Sequence, residues 1–203
     1  MRRLSIICGA ASLVILATAT VVGGLVYADY DHLTQFISEL GANGAVTSRL
    51  VSLAFIASGA LLALFWLSAM TQLPRTPLAV IGFGLSALNG LGLMFGGVFP
   101  CDFECAFIDH SPTATLHDAL SGVGYLCGVA GVFLIALSAR RWSRHRYLFP
   151  LGMACAGPAI LAIGFIHPAF EWRGAAQRVV ELGLALFAVG VILALARDMR
   201  RAG

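Results

Sequence analysis

The sequence predicts an all-α integral membrane protein: a six-helix transmembrane bundle with a short interfacial helix after helix one. Three observations carry this. Hydrophobic residues fill 59% of the 203 positions and charged residues only 11%, against about 45–50% and about 25% in soluble domains. Mean hydropathy is +0.89. Six mostly apolar stretches, near 4–27, 50–70, 78–99, 116–137, 148–166 and 175–196, approach the roughly 20 apolar residues with which a helix satisfies its own backbone across hydrocarbon. No segment is left over for a soluble domain, so residues 1–203 read as one six-span unit.

The first stretch follows Arg2-Arg3 and stays uncharged to Ala28. That is longer than the roughly 7–15-residue apolar core of a secretory signal, so it reads as a retained helix. Arginine placement orients the rest, because positive charge in short loops stays on the cytoplasmic side. Arg2, Arg3, Arg75, Arg140, Arg141, Arg144, Arg146, Arg197, Arg200 and Arg201 fall on one side, and Arg49, Arg173 and Arg178 on the other. Both termini are therefore expected in the cytoplasm and the protein in the inner membrane. A net charge of +3 with no basic stripe excludes a nucleic-acid partner.

After the first helix, Leu33, Phe36, Ile37 and Leu40 recur at intervals of three and four, the spacing of an amphipathic helix lying along the outer interface. Ser38 and Glu39 sit near its end, before the Asn43-Gly44 turn. In the third and fourth helices Gly92 with Gly96, and Gly124 with Gly128, fall at helical spacing and suit close helix packing. Asn89 reads as a helix-to-helix hydrogen bond. The loop from Pro100 to Pro112 carries Asp102, Glu104, Asp109 and His110 without a basic residue. Its Cys101 and Cys105 are disulfide candidates in an oxidising compartment, whereas Cys8, Cys127 and Cys155 lie in apolar stretches as packing residues.

Thr113 or Thr115 is placed to cap the fourth helix, with Asp118 favourable at its positive end. His117 has no such structural reason to be there, and an imidazole can act as base, metal ligand or pH switch. In the sixth helix only Leu182–Ala196 is uncharged after Glu181, too short to span. Arg178 and Glu181 must then enter the outer membrane half, three apart, where they pair with each other or across the bundle. Nine of the ten acids and four of the five histidines share this outer side.

Ile37-Ser38-Glu39-Leu40-Gly41-Ala42, Gly97 to Asp102, Leu116-His117 and Gln177-Arg178 together resemble a family of prokaryotic multi-pass membrane proteins known as domain-of-unknown-function family 998. The resemblance covers essentially the whole chain, with Cys101, Glu104 and Cys105 as a local elaboration. It implies a shared fold and a shared outward site at Glu39, Asp102, His117 and Arg178, and it supplies no activity.

Three functional readings follow. In the first, the outward polar site binds or processes a lipid or other apolar substrate of the outer leaflet: Glu39, Asp102 and His117 supply acid–base chemistry, while Arg178, Ser38 and Glu181 hold the substrate. A metal version places a divalent ion such as zinc on His110, His117 and His167, though without the i, i+4 histidine pair of the convincing sites. In the second, the protein is a non-catalytic sensor, transport accessory or assembly protein. The third is a haem or metal redox protein. Membrane lipids are the expected partners in the first.

Overall fold

The computed structural model of the chain describes residues 2–106 and 110–201. Six α-helices follow one another: α1 Arg2–Val26, α2 Ser48–Gln72, α3 Pro77–Val98, α4 Pro112–Ala139, α5 Leu148–Ile163 and α6 Arg173–Arg201. Two short 3-10 turns, Ile37–Gly41 and Phe103–Cys105, lie in the first and third connections, and no strand occurs among the described residues. Five of the helices are long and apolar enough to cross a membrane, and α5, with 16 residues, is shorter. Much of their surface faces outward: Leu25, Leu50 and Leu161 are each more than 70% exposed, an arrangement that suits lipid and not water.

Local signals start α3 and α4. Thr76 accepts the Ala79 amide at 3.1 Å ahead of Pro77, and Ser111 accepts the Ala114 amide at 3.1 Å ahead of Pro112. Proline at the first helical position loses nothing, because its N–H would be unpaired there anyway. The cap of α4 is therefore Ser111 rather than Thr113 or Thr115, and the helix begins four residues before 116. Proline supplies the reason, since it presets the helical φ at that point.

α3 packs between α2 and α4, α1 lies against α2 and α6, and α5 against α4 and α6. Small residues set these separations. A Cβ on Gly92 would lie 2.8 Å from the Gly124 Cα and 3.0 Å from the Leu120 carbonyl, so α3 and α4 touch backbone to backbone. At one end of the bundle an apolar cluster of Phe65, Trp66, Phe83 and Phe187 fills the interior. Towards the other end, which carries the long connections, polar side chains take over.

The connection from α1 to α2 departs from the expected interfacial helix. Its only helical part is the 3-10 turn Ile37–Gly41, and Phe36, Ile37 and Leu40 are buried against the bundle instead of lying flat on an interface. Side chains take the amides a helix would need: Asp31 Oδ1 accepts from Leu33, Gln35 Oε1 from Asp31, and Glu39 Oε1 from Phe36. Such local bonds compete directly with helix formation. Thr47 and Ser48 then donate to the Leu40 and Gly41 carbonyls, and Gly44, at φ 87°, turns the chain into α2.

The α3–α4 contact yields a direct comparison. Gly92→Ala should destabilise the protein by about 1–3 kcal/mol, the usual range for overpacking. Gly84→Ala, where an added Cβ meets nothing within 4 Å, should be neutral or stabilising by up to about 1 kcal/mol through helix propensity. Thermal unfolding of both variants in one detergent checks this, and equal stabilities would refute the close approach.

Candidate functional site

A polar crevice opens at the loop-bearing end and descends into the bundle in three steps. A vestibule of about 210 Å³ lies among Ser38, His117, Ser121, Tyr125 and His167. It shares His117, Ser121, Tyr125 and Gln177 with a chamber of about 40 Å³ that also reaches Asn89 and Glu181. Asn89 and Glu181 in turn border a deeper chamber of about 30 Å³ beside Ser86 and Trp66. Since a water needs roughly 10–15 Å³ of such space, each inner chamber has room for about two or three.

His117 is 6% exposed. Its Nδ1 lies 3.1 Å from the Gly96 carbonyl and 2.8 Å from the Phe99 carbonyl. Carbonyls only accept, so Nδ1 carries a proton, and in the neutral tautomer that this fixes Nε2 is the basic nitrogen. Both carbonyls belong to the last turn of α3, which thereby gains a donor it otherwise lacks. One turn along α4 comes Ser121, and one turn further Tyr125, so the three share a helix face.

Tyr125 joins α4 to α6. Its hydroxyl donates to Glu181 Oε1 at 2.7 Å and accepts from Gln177 Nε2 at 2.8 Å. The Gln177 oxygen takes the Ile37 amide at 2.6 Å, which extends the chain of bonds to the first connection. Asn89 makes no hydrogen bond across helices; it presses against Gly128 and borders both inner chambers. The expected helix-to-helix hydrogen bond of Asn89 is therefore not made among the described residues: the residue opposite on α4 is Gly128, which has no side chain to pair with.

Arg178 and Glu181 do not pair with each other. Gln177 and Glu181, four apart, face the crevice, whereas Arg178 is turned about 100° from Gln177 and looks the other way. Its guanidinium donates to the Gln35 and Gly174 carbonyls, to the Tyr30 hydroxyl at 2.7 Å and to His32 Nδ1 at 2.8 Å. Because the arginine donates, His32 accepts as a neutral ring; its own burial, and then the Arg178 charge, hold its pKa below the ordinary value. Gly174 lets the Gln35 carbonyl rest against α6, and Ala175 donates to the Leu33 carbonyl at 2.8 Å. Arg178 is in effect a clamp between α6 and the first connection.

Glu39 is 1% exposed and stands in the same seam. It accepts from the Phe36 amide and the Gln35 side chain, both at 2.9 Å, and Arg173 approaches to 3.7 Å. Asp102 lies apart from both, accepting from the Ser111 amide and hydroxyl and so steadying the cap of α4. Those two bonds hold its carboxyl below the ordinary value. Of the four residues expected to converge, only His117 lines the crevice; Glu39, Asp102 and Arg178 hold its surroundings in place. Ser38 and Glu181 line it too.

Cys101 and Cys105 are joined by a disulfide, with Cα atoms 5.1 Å apart. A disulfide sulfur has no hydrogen, so the Ser38 hydroxyl is the donor in its 3.3 Å contact with Cys105. His110 lies 3.8 Å from Asp118, and His167 Nδ1 accepts from the Ala169 amide. His110, His117 and His167 form no joint ligand set: among the described residues no three His, Cys, Asp or Glu side chains are placed to hold one metal ion. Asp109 lies outside the described residues. Ser121, Tyr125 and Gln177 are the crevice residues that sequence reasoning missed, and the recurrence of polar residues at 117, 121 and 125, and at 177 and 181, is the signal that finds them.

Glu39 makes the seam sensitive to pH. Burial raises its pKa above the ordinary 4.5, and the Phe36, Gln35 and Arg173 contacts offset this only in part. The folded state then holds the proton more tightly than the unfolded chain, so stability falls as pH rises from about 4.5 through the raised value. Glu39→Gln cannot ionise. The melting temperature of the native protein should drop relative to that of Glu39→Gln across this window, and parallel curves would contradict the assignment.

No curated protein and no solved structure matches the chain. A family model does, over residues 9–197. The polar spacing just described thus sits on a multi-pass helical membrane protein, and the chain belongs to the family of proteins of unknown function DUF998.

Proposed function

We propose that the crevice faces the outside of the inner membrane and binds, for acid–base processing, the polar head of a lipid or similar amphipath of the outer leaflet. The observation that carries this reading is that an apolar groove follows the crevice along α4. One turn beyond Gly122 and Tyr125 in the vestibule, Leu126, Val129 and Phe133 of α4 meet Ile160 and Ile163 of α5 around an almost wholly apolar groove of about 300 Å³. A head group in the vestibule would leave its chain lying along these two helices.

In the crevice His117 Nε2 is the general base, able to take a proton from a water or hydroxyl held beside it, and Ser38, Ser121 and Glu181 bind the polar group. Arg178, Glu39 and Asp102 act at one remove, by fixing the first connection and the start of α4. A disulfide at this end and ten of the thirteen arginines at the other support the orientation. Reporter fusions at Arg75 and His110 should read inside and outside respectively, and the reverse would move the crevice to the cytoplasmic leaflet.

The bond chain from Glu181 through Tyr125 and Gln177 to Ile37 favours a second reading, in which the same groups only lock α4, α6 and the first connection together. His117→Asn separates the two. An asparagine amide can donate to the Gly96 and Phe99 carbonyls as Nδ1 does, but it offers no basic nitrogen. Mass spectrometry of lipids retained or converted by the purified protein should show the native profile lost in His117→Asn, with the melting temperature nearly unchanged. Loss of stability equal to that of Tyr125→Ala, with the lipid profile intact, would establish the locking role instead.

A further inference from the structure

The opposite, arginine-rich end holds a second cavity, of about 380 Å³, between the start of α1, the end of α2, the α4–α5 turn and the last turns of α6. Four side chains in its wall carry a buried polar atom without a hydrogen-bond partner: Gln72 Oε1, Trp142 Nε1, His145 Nδ1 and Asp198 Oδ1. Trp142 and His145 are each only 4% exposed. Buried polar groups are almost always paired, because leaving one unpaired forfeits its hydration with no return. Four at one place mark a site that something with matching groups completes.

The existing bonds fix what those groups need. The Gln72 amide nitrogen already donates to the Ser68 carbonyl and hydroxyl at 3.0 and 2.9 Å, so its oxygen is left as an acceptor. His145 Nε2 donates to Asp198 Oδ2 at 2.9 Å, which leaves Asp198 Oδ1 as a second acceptor. The Trp142 indole N–H can only donate. Arg2, held by the Asp198 carbonyl at 3.3 Å, and the exposed Arg144 add two guanidinium groups to the same wall.

An inorganic anion would serve the indole and the arginines but leave both acceptors unpaired. A simple amine would do the reverse. We propose that this cavity binds a phosphate ester carrying a protonated primary amine, the phosphoethanolamine group: the ammonium goes to Gln72 and Asp198, and the phosphate to Arg2, Arg144 and the Trp142 N–H. His145 Nδ1, which accepts in a neutral ring and donates in a charged one, can serve either end. The site lies at the other end of the bundle from the His117 crevice and does not depend on the reading given there.

Thermal unfolding of the full chain in detergent, with soluble phosphoethanolamine, phosphocholine and inorganic phosphate as probes, tests the assignment. Phosphoethanolamine at a hundredfold excess over its Kd should raise the melting temperature by about 5–11 °C. Phosphocholine, whose quaternary nitrogen has no N–H, should give no rise. Trp142→Phe and Asp198→Asn should each abolish the response; should Asp198→Asn fail to fold, Arg144→Gln at the exposed rim should weaken binding about tenfold. A further pair of measurements, in nanodiscs of phosphatidylcholine with and without phosphatidylethanolamine, identifies the source: a response there alone assigns a lipid head group, and a response to the free compound assigns a soluble ligand. Equal shifts with inorganic phosphate or phosphocholine, no shift with any soluble probe together with no difference between the two nanodiscs, or an unchanged response in Trp142→Phe would overturn the proposal and leave water as the occupant.

Discussion

Gln177 is the residue on which the loop-bearing end depends. Within an apolar bundle every polar group must find a partner inside the protein, and a carboxamide offers an acceptor and donors on one small plane. Its oxygen takes a backbone amide from the first connection, and its nitrogen reaches the Tyr125 hydroxyl, which passes the bond on to Glu181. Three separated parts of the chain gain a common reference point. Glutamate at this position would lose the donor to Tyr125, and leucine would orphan both the Ile37 amide and the Tyr125 acceptor.

Around that point the helix faces divide the labour. α6 turns Gln177 and Glu181 into the crevice, while Gly174 and Arg178 hold the segment from Tyr30 to Gln35 on the next face. α4 shows the same division, with His117, Ser121 and Tyr125 toward the crevice and Gly124 against α3. A charged residue deep in a membrane bundle is a functional candidate by default, yet both terminal nitrogens of Arg178 are taken up by protein oxygens and a histidine nitrogen. Depth marked it; direction decided its role.

The long apolar helices were legible in the sequence because hydrocarbon demands length and lack of charge, both of which can be counted along the chain. His117 stood out for the same reason, as a polar ring with no local partner. What could not be counted was rotation. Arg178 and Glu181 share a face by spacing, but Gln177 lies on it more squarely, and only the packing of α6 against α4 shows which face turns inward. The first connection was misleading in another way: Leu33, Phe36, Ile37 and Leu40 have helical spacing, but Asp31, Gln35 and Glu39 between them draw the amides into side-chain bonds.

The length of α5 bears on the membrane itself. Its 16 residues reach about 24 Å, some 6 Å less than a typical hydrocarbon core of about 30 Å, while the neighbouring α4 and α6 have 28 and 29 residues. Local thinning of the bilayer is one way in which such hydrophobic mismatch is relieved. The chain leaves α5 into Ile166, His167 and Pro168, which wall the vestibule. If the crevice opens to the membrane surface as proposed above, that surface would dimple at its mouth, and head groups that stand clear of the other helices would be drawn down to the level of the imidazole.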